Sequence, residues 1–178
     1  PIWLKNAQSP SWAMVTKAVA VDQNDNTVSS GDFSDIALFD THQIQTTTFQ
    51  YDGWLAKLDS NGSWLWAKGF GGDSVDRGDA VAIEANGNIY AGGQFSKLAH
   101  FDTINVAAVG KMDGYLVKLS PSGEIRWVRT CIGTGEEYVH KIVPAASGDI
   151  YVAGSFEDTA TIFGQQLTAP LATRGQNF

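Results

Sequence analysis

The chain has one cysteine, Cys131, so no intrachain disulfide can staple it and the redox compartment stays open. That thiol sits at the end of an apolar run and reads as a small buried hydrophobe. Charge is scarce, at 17% of residues against about 25% in an ordinary soluble domain. Neither Lys nor Arg occurs in runs, and 19 acidic against 12 basic residues leave a net charge of −7. A phosphate backbone would be repelled, which excludes nucleic acid as a partner. No apolar run approaches the ~20 residues of a membrane-spanning helix. The chain begins at Pro1 with neither an initiator Met nor a signal-peptide pattern, and is expected to be a mature or excised piece of something longer.

Glycine and aromatic residues are plentiful instead. There are 19 Gly, and 6 Trp, 5 Tyr and 9 Phe, within 178 residues that are 43% hydrophobic. This is enough chain for one domain with a sizeable core. Aromatic, Thr, Asn and Gly abundance with little charge favours an all-β protein with many tight turns.

The dominant feature is an internal repeat. "DGWLAKLDSNGSWLW" at 52–66 returns as "DGYLVKLSPSGEIRW" at 113–127. "KAVAVDQNDNTVSSGDF" (17–33) aligns with "DAVAIEANGNIYAGGQF" (79–95) and "HKIVPAASGDIYVAGSF" (140–156). Trp3, Trp66 and Trp127 stand 63 and 61 apart, so the chain is about 2.9 copies of a unit of roughly 61 residues. Within a unit, a short apolar run, a turn such as "ANGN" (85–88) and a second run predict a β-hairpin. Alternation at Tyr115, Val117 and Leu119 predicts a third strand, and "SPSG" (120–123) turns into a fourth carrying Trp127. Between the second and third strands lie insertions at 34–51, 96–112 and 157–178. There Phe39, Phe101 and Phe163 precede Ile44, Val106 and Leu167, the spacing of a small extra hairpin with a hydrophobic anchor. The copies differ most in these loops, where binding residues usually sit.

These phrases resemble the bacterial seven-bladed β-propeller repeat family (SBBP), over nearly the whole chain. The outer hairpins are also similar to the tryptophan-docking motif of quinoprotein-like propellers. That likeness implies that Gly62 and Gly123 shape turns while Trp66 and Trp127 pack against a neighbouring blade. Lys57 and Lys118 stand where that motif has Ala. The expected fold is therefore all-β: blades of four antiparallel strands with an inserted hairpin, in an incomplete ring. Residues 1–6 would be the last strand of a preceding blade, 7–68 and 69–129 two blades, and 130–178 an incomplete one. A closed ring needs at least four blades, so open edges would meet further blades or other copies.

Candidate chemistry is thin. Asp22, Asn24 and Asn26 alternate like the start of a calcium loop, but Thr27 holds the glycine position and no closing glutamate follows. The counterparts Glu84, Asn86 and Asn88, and Ala145, Ser147 and Asp149, read as hairpin turns. "RGD" at 77–79 aligns with Val15–Lys17 and Tyr138–His140, so the repeat does not demand it. "GFGGD" (69–73) lacks the Lys-Ser/Thr of a phosphate loop. His42, His100 and His140 occupy different repeat positions with no zinc spacing. Glu136 and Glu137 are expected to be solvated loop residues. No nucleophile elbow marks a Ser-His-Asp triad. No catalytic, cofactor or metal residue is assigned, and the ligand-binding residues are left unknown.

The resemblance implies a non-catalytic propeller scaffold in a larger bacterial surface or secreted protein. It would be extracellular or at the cell surface, binding a protein or glycan, without cofactor. The alternative is a propeller enzyme, a hydrolase, lyase or quinoprotein-like oxidoreductase, with a site completed by further blades. Titratable groups converging on the inner strands would favour the second.

Overall fold

The computed structural model describes residues 4–10, 13–169 and 176–177; Trp3, and with it the strand expected at residues 1–6 in part, lies outside them. Seventeen strands and no helix make up the regular structure of the described residues. The first unit holds β1 (Met14–Val21), β2 (Thr27–Phe33), the hairpin β3 (Ile36–Phe39) and β4 (His42–Gln45), then β5 (Asp52–Leu58) and β6 (Trp64–Gly72). The second repeats it as β7 (Arg77–Ile83), β8 (Ile89–Phe95), β9 (Leu98–Phe101), β10 (Ile104–Ala107), β11 (Asp113–Leu119) and β12 (Ile125–Gly133). The third holds β13 (Tyr138–Pro144), β14 (Ile150–Phe156), β15 (Thr159–Ile162), β16 (Gln165–Thr168) and β17 (Gln176–Asn177).

All-β content, the repeat and the inserted hairpins are as the sequence predicts, but the sheets are not four-stranded blades. Sheet order is β1-β2-β5-β6-β9-β10 in the first and β7-β8-β11-β12-β15-β16 in the second. The last strand of each unit pairs onward with the inserted hairpin of the next, Gly71 with His100 and Cys131 with Ile162. Glycine permits this approach: a Cβ on Gly72 would stand 1.9 Å from the Leu98 carbonyl oxygen. Each pairing threads one unit's sheet into its successor. The result is an open array of paired sheets, closer to a sandwich or solenoid, and it does not close into a propeller ring. The resemblance to the seven-bladed repeat family, and the propeller scaffold and propeller enzyme inferred from it, are overturned with it.

The core lies between the sheets. Val28 and Leu55 of the first meet Ile89, Ala91, Tyr115, Val117 and Leu119 of the second in one cluster. Tyr90 and Leu116, on the other face of the second sheet, join Val139, Ile142 and Phe156 in another. The second sheet is thus covered on both faces, so β8 is buried along its whole length. Hairpin β3–β4 packs over the outer face of the first sheet, with Phe39 against Trp54 and Trp64 at 5.3 and 4.9 Å. Gln8 exchanges backbone hydrogen bonds with Leu38, as Gly71 pairs with His100 one unit later.

Two details correct the sequence alignment. Ile162, not Phe163, takes the core place of Phe39 and Phe101; Phe163 sits in the left-handed turn position of Asp40 and Asp102. β17 pairs Gln176 with Phe156 and Asn177 with Ser155, where Asp52 pairs with Phe33 and Gly53 with Asp32. The third copy of the "DGW" phrase therefore begins at Gln176, inside the chain, with Phe178 the next residue in sequence.

Candidate functional site

Each unit's first strand carries a β-bulge at the same place. The register slips between Thr16 and Ala18, between Gly78 and Ala80, and between Val139 and Lys141. The extra residues are Lys17, Asp79 and His140. A bulge re-aims a side chain and recurs at sheet edges and functional sites. The strands β1, β7 and β13 are edge strands that pack side by side, β7 against both others. The bulged residues therefore form a row across the three sheets.

Around this row a polar network assembles. Lys17 Nζ lies 2.7 Å from Asp32 and 2.6 Å from Asp79. Arg77 reaches Asp32 at 3.1 Å, and the Gly78 N–H donates to the same carboxylate at 3.1 Å. The Arg77 guanidinium stands 5.8 Å from the centre of the Tyr51 ring. Further along, the Tyr138 ring stacks on His140 at 5.7 Å and its hydroxyl donates to Glu136. Burial and that acceptor push the Tyr138 phenol up to about 12. His140 Nε2 and Ser155 Oγ are 3.0 Å apart. Lys17 and His140 are exposed, and Asp79 half-exposed. Sequence reasoning placed the three residues at equivalent positions without seeing a bulge; the unlike residues Lys, Asp and His at one repeat position were its signal.

"RGD" is absorbed into this network. Arg77 and Asp79 are held by Asp32 and Lys17, and Gly78 packs on the backbone of Gly31. It is a bulged strand rather than a presented loop.

A second set of titratable groups is interior. Asp52, opening β5, neighbours Asp76, and Asp113, opening β11, neighbours Glu137. All four are buried. Gly72 and Ser96 donate backbone N–H bonds to Asp76 at 2.8 and 3.0 Å, while Asp52 Oδ1 has no hydrogen-bond partner among the described residues. In the second pair the roles reverse. Val109, Gly110 and Gly133 donate to Asp113, while Glu137 lies beside it with no well-formed hydrogen bond to its carboxylate oxygens among the described residues. Burial, then the neighbouring Asp76 charge, pushes Asp52 up to about 8. Burial pushes Asp76 up to about 7 despite its N–H donors, and burial with Asp113 beside it pushes Glu137 up to about 8. In each pair one acid holds the N–H donors, and its neighbour, Asp52 or Glu137, is pushed toward its protonated form. Glu137, at 0% exposure, is thus no solvated loop residue. These pairs join units and are closed to substrate.

The remaining candidates resolve as structure. Asp22 accepts the backbone N–H of Asn24 and Asn26 at 2.9 and 3.0 Å and the Asn26 amide at 2.8 Å. Its cation is Lys57, 3.7 Å away, and Lys118 stands likewise 3.5 Å from Glu84. Lysine at the position where the docking motif has Ala thus answers the acid of its own unit's hairpin turn. Trp66 lies half-buried against the turn of the next unit, its indole N–H donating to the Pro121 carbonyl at 3.4 Å. Cys131 is buried, and burial raises its thiol to about 12. Among the described residues no three His, Cys, Asp or Glu side chains are grouped to hold a metal ion, and no helix is long and apolar enough to cross a membrane. No protein-family model and no curated protein matches this chain.

Proposed function

We propose that this chain is a non-catalytic recognition module that works outside the cell and binds a partner protein through the bulge row. The observation that carries it is the repetition of one bulge in three adjacent edge strands, which brings Lys17, Asp79 and His140 onto one polar surface. Charges of both signs with the rings of Tyr51 and Tyr138 beside them suit a polypeptide partner with its own mixed charge. Asp52 and Glu137, whose carboxyls burial pushes up, are closed off in the interior and are not part of the exposed row. His140 meets Ser155, but among the described residues no carboxylate bonds its other ring nitrogen, which leaves that pair short of a triad.

The test is affinity capture from a cell-surface extract of the source organism, with the wild type and the Lys17→Ala, Asp79→Ala, His140→Ala triple variant. A protein retained by the first and lost by the second, with circular dichroism unchanged, supports the reading. Equal retention by both rejects it. Antibody labelling of intact cells checks the extracellular location.

A further inference from the structure

The chain holds eight asparagines, and Asn61 alone among them is followed at the second position by Ser or Thr. Asn61-Gly62-Ser63 has the form of an acceptor for an asparagine-linked glycan, a signal that carries weight only in a surface loop. The structure places it in one. The turn at 59–63 joins β5 to β6, with Asn61 and Ser63 exposed and Gly62 buried between them.

This turn is held by its backbone. Asp59 takes the N–H groups of Asn61 and Ser63 on one carboxylate oxygen, at 2.9 and 2.8 Å. Its own N–H donates to the Ser63 carbonyl at 2.9 Å, and its carbonyl accepts from Gly62 at 3.0 Å. Gly62, at a φ of +81°, takes the left-handed conformation that the turn requires. With the main chain answered by Asp59, the Asn61 carboxamide and the Ser63 hydroxyl make no hydrogen bond among the described residues. Asn86, also followed by glycine in a hairpin turn, differs in two ways. Its carboxamide oxygen accepts the Asn88 N–H at 3.0 Å, and Asn88 stands where an acceptor needs Ser or Thr.

The exposure of Asn61 does not depend on what lies ahead of the first unit. Ser122, its equivalent in the second unit, has a whole unit before it and the Trp66 ring against the adjoining Gly123, yet it is exposed. The turn is also remote from the bulge row. Gly31, beside the bulge, pairs with Trp54, while the turn begins after Leu58, about 13 Å further along β5. A sugar chain on Asn61 therefore leaves Lys17, Asp79 and His140 open.

We propose that Asn61 is an N-glycosylation site. The donor class is an oligosaccharide joined to a polyprenyl lipid through pyrophosphate. The carboxamide Nδ2 bonds to the anomeric carbon as the bond from that carbon to the phosphate oxygen breaks. One amide proton is lost, and the lipid pyrophosphate leaves. The Ser63 hydroxyl is the group by which the transferase selects this asparagine. The inference rests on the location outside the cell given under the proposed function, and is independent of the bulge row.

The test is mass mapping of the full chain isolated from its source organism. Trypsin releases residues 58–68 as one peptide, which should show a mass gain made of sugar residues, localised to Asn61 by fragmentation. Asn61→Gln and Ser63→Ala should each abolish that gain with Tm unchanged, and Ser63→Thr should keep it. A bare peptide from chains that antibody labels on intact cells overturns the proposal and leaves the location standing. So does a glycan that persists in Ser63→Ala. Chains labelled only after permeabilisation, with the peptide bare, reject the location and this site with it.

Discussion

The Tyr115 hydroxyl donates to the backbone carbonyl of Arg77 at 2.9 Å, two residues before the Asp79 bulge. One unit earlier, the Trp54 indole N–H donates to Val15 at 3.2 Å, two residues before Lys17. Each ring belongs to the "DGW" or "DGY" phrase, and each bond crosses the glycine of "GDF" or "GQF". A Cβ on Gly31 would stand 2.9 Å from Trp54 Nε1 and 1.8 Å from the Val15 carbonyl oxygen. These separate motifs are therefore one device, in which an aromatic tip fixes the backbone that carries the bulge.

Removing only the tip, in Tyr115→Phe, should cost about 1 kcal/mol, the net worth of an ordinary hydrogen bond. Gly93→Ala should cost more, about 3 kcal/mol, because its Cβ would stand 2.1 Å from the Arg77 carbonyl oxygen. Urea titrations measure both. Equal losses would mean that the glycine provides no needed space.

Lys57 is 4% exposed, with Asp22 and the Pro121 carbonyl as its partners. Asp22→Ala strands that ammonium and should destabilise by about 2 kcal/mol. Lys57→Met removes the charge along with its need for a partner, and should cost less. A Lys57→Met variant weaker than Asp22→Ala in the same titration would show that the pair itself holds the hairpin.

Trp66→Ala should cost about 2 kcal/mol, below the 3–5 kcal/mol usual for a fully buried Trp, since the ring is half-exposed. Trp127 has no following turn over it among the described residues, so Trp127→Ala should cost less than Trp66→Ala. Thermal unfolding of the two variants gives the ranking directly.

The repeat, the hairpins and the turns were legible because each is written in local pattern: period two, Asn-Gly turns, a phrase returning after 61 residues. The path of the sheets was not. Whether β6 ends a blade or pairs onward with β9 depends on Gly72 meeting Leu98, 26 positions away, and nothing local marks that meeting. The bulges were hidden for a related reason, since a single extra residue leaves the alignment between units intact. Glu137 misled because an acid in a polar loop reads as solvated. Its burial follows from packing against Gly133 and against Asp113, the latter 24 positions earlier in the sequence.

The buried acid pairs make stability fall as pH rises. Unfolded, Asp52 and Glu137 titrate in the ordinary carboxylate range, near 4; folded, both titrate near 8. Between those values the folded state binds more protons, so each step up in pH favours unfolding, and the penalty is complete above about 8. In the acid range the sign reverses for Asp22 and Glu84. Burial opposes their charge, but hydrogen bonds from Asn26 and from Tyr90, with Lys57 and Lys118 nearby, hold both below their usual values, so their stabilisation is lost as pH falls. Stability should therefore peak near pH 5. A net loss of about 2–3 kcal/mol by pH 8.5 would lower Tm by roughly 5–10 °C. Asp52→Asn and Glu137→Gln should flatten that decline and leave each variant more stable than the wild type at pH 8.5. Calorimetric scans from pH 5 to 8.5 measure it, and a wild-type Tm that holds level across that range would show that neither acid keeps its proton in the fold.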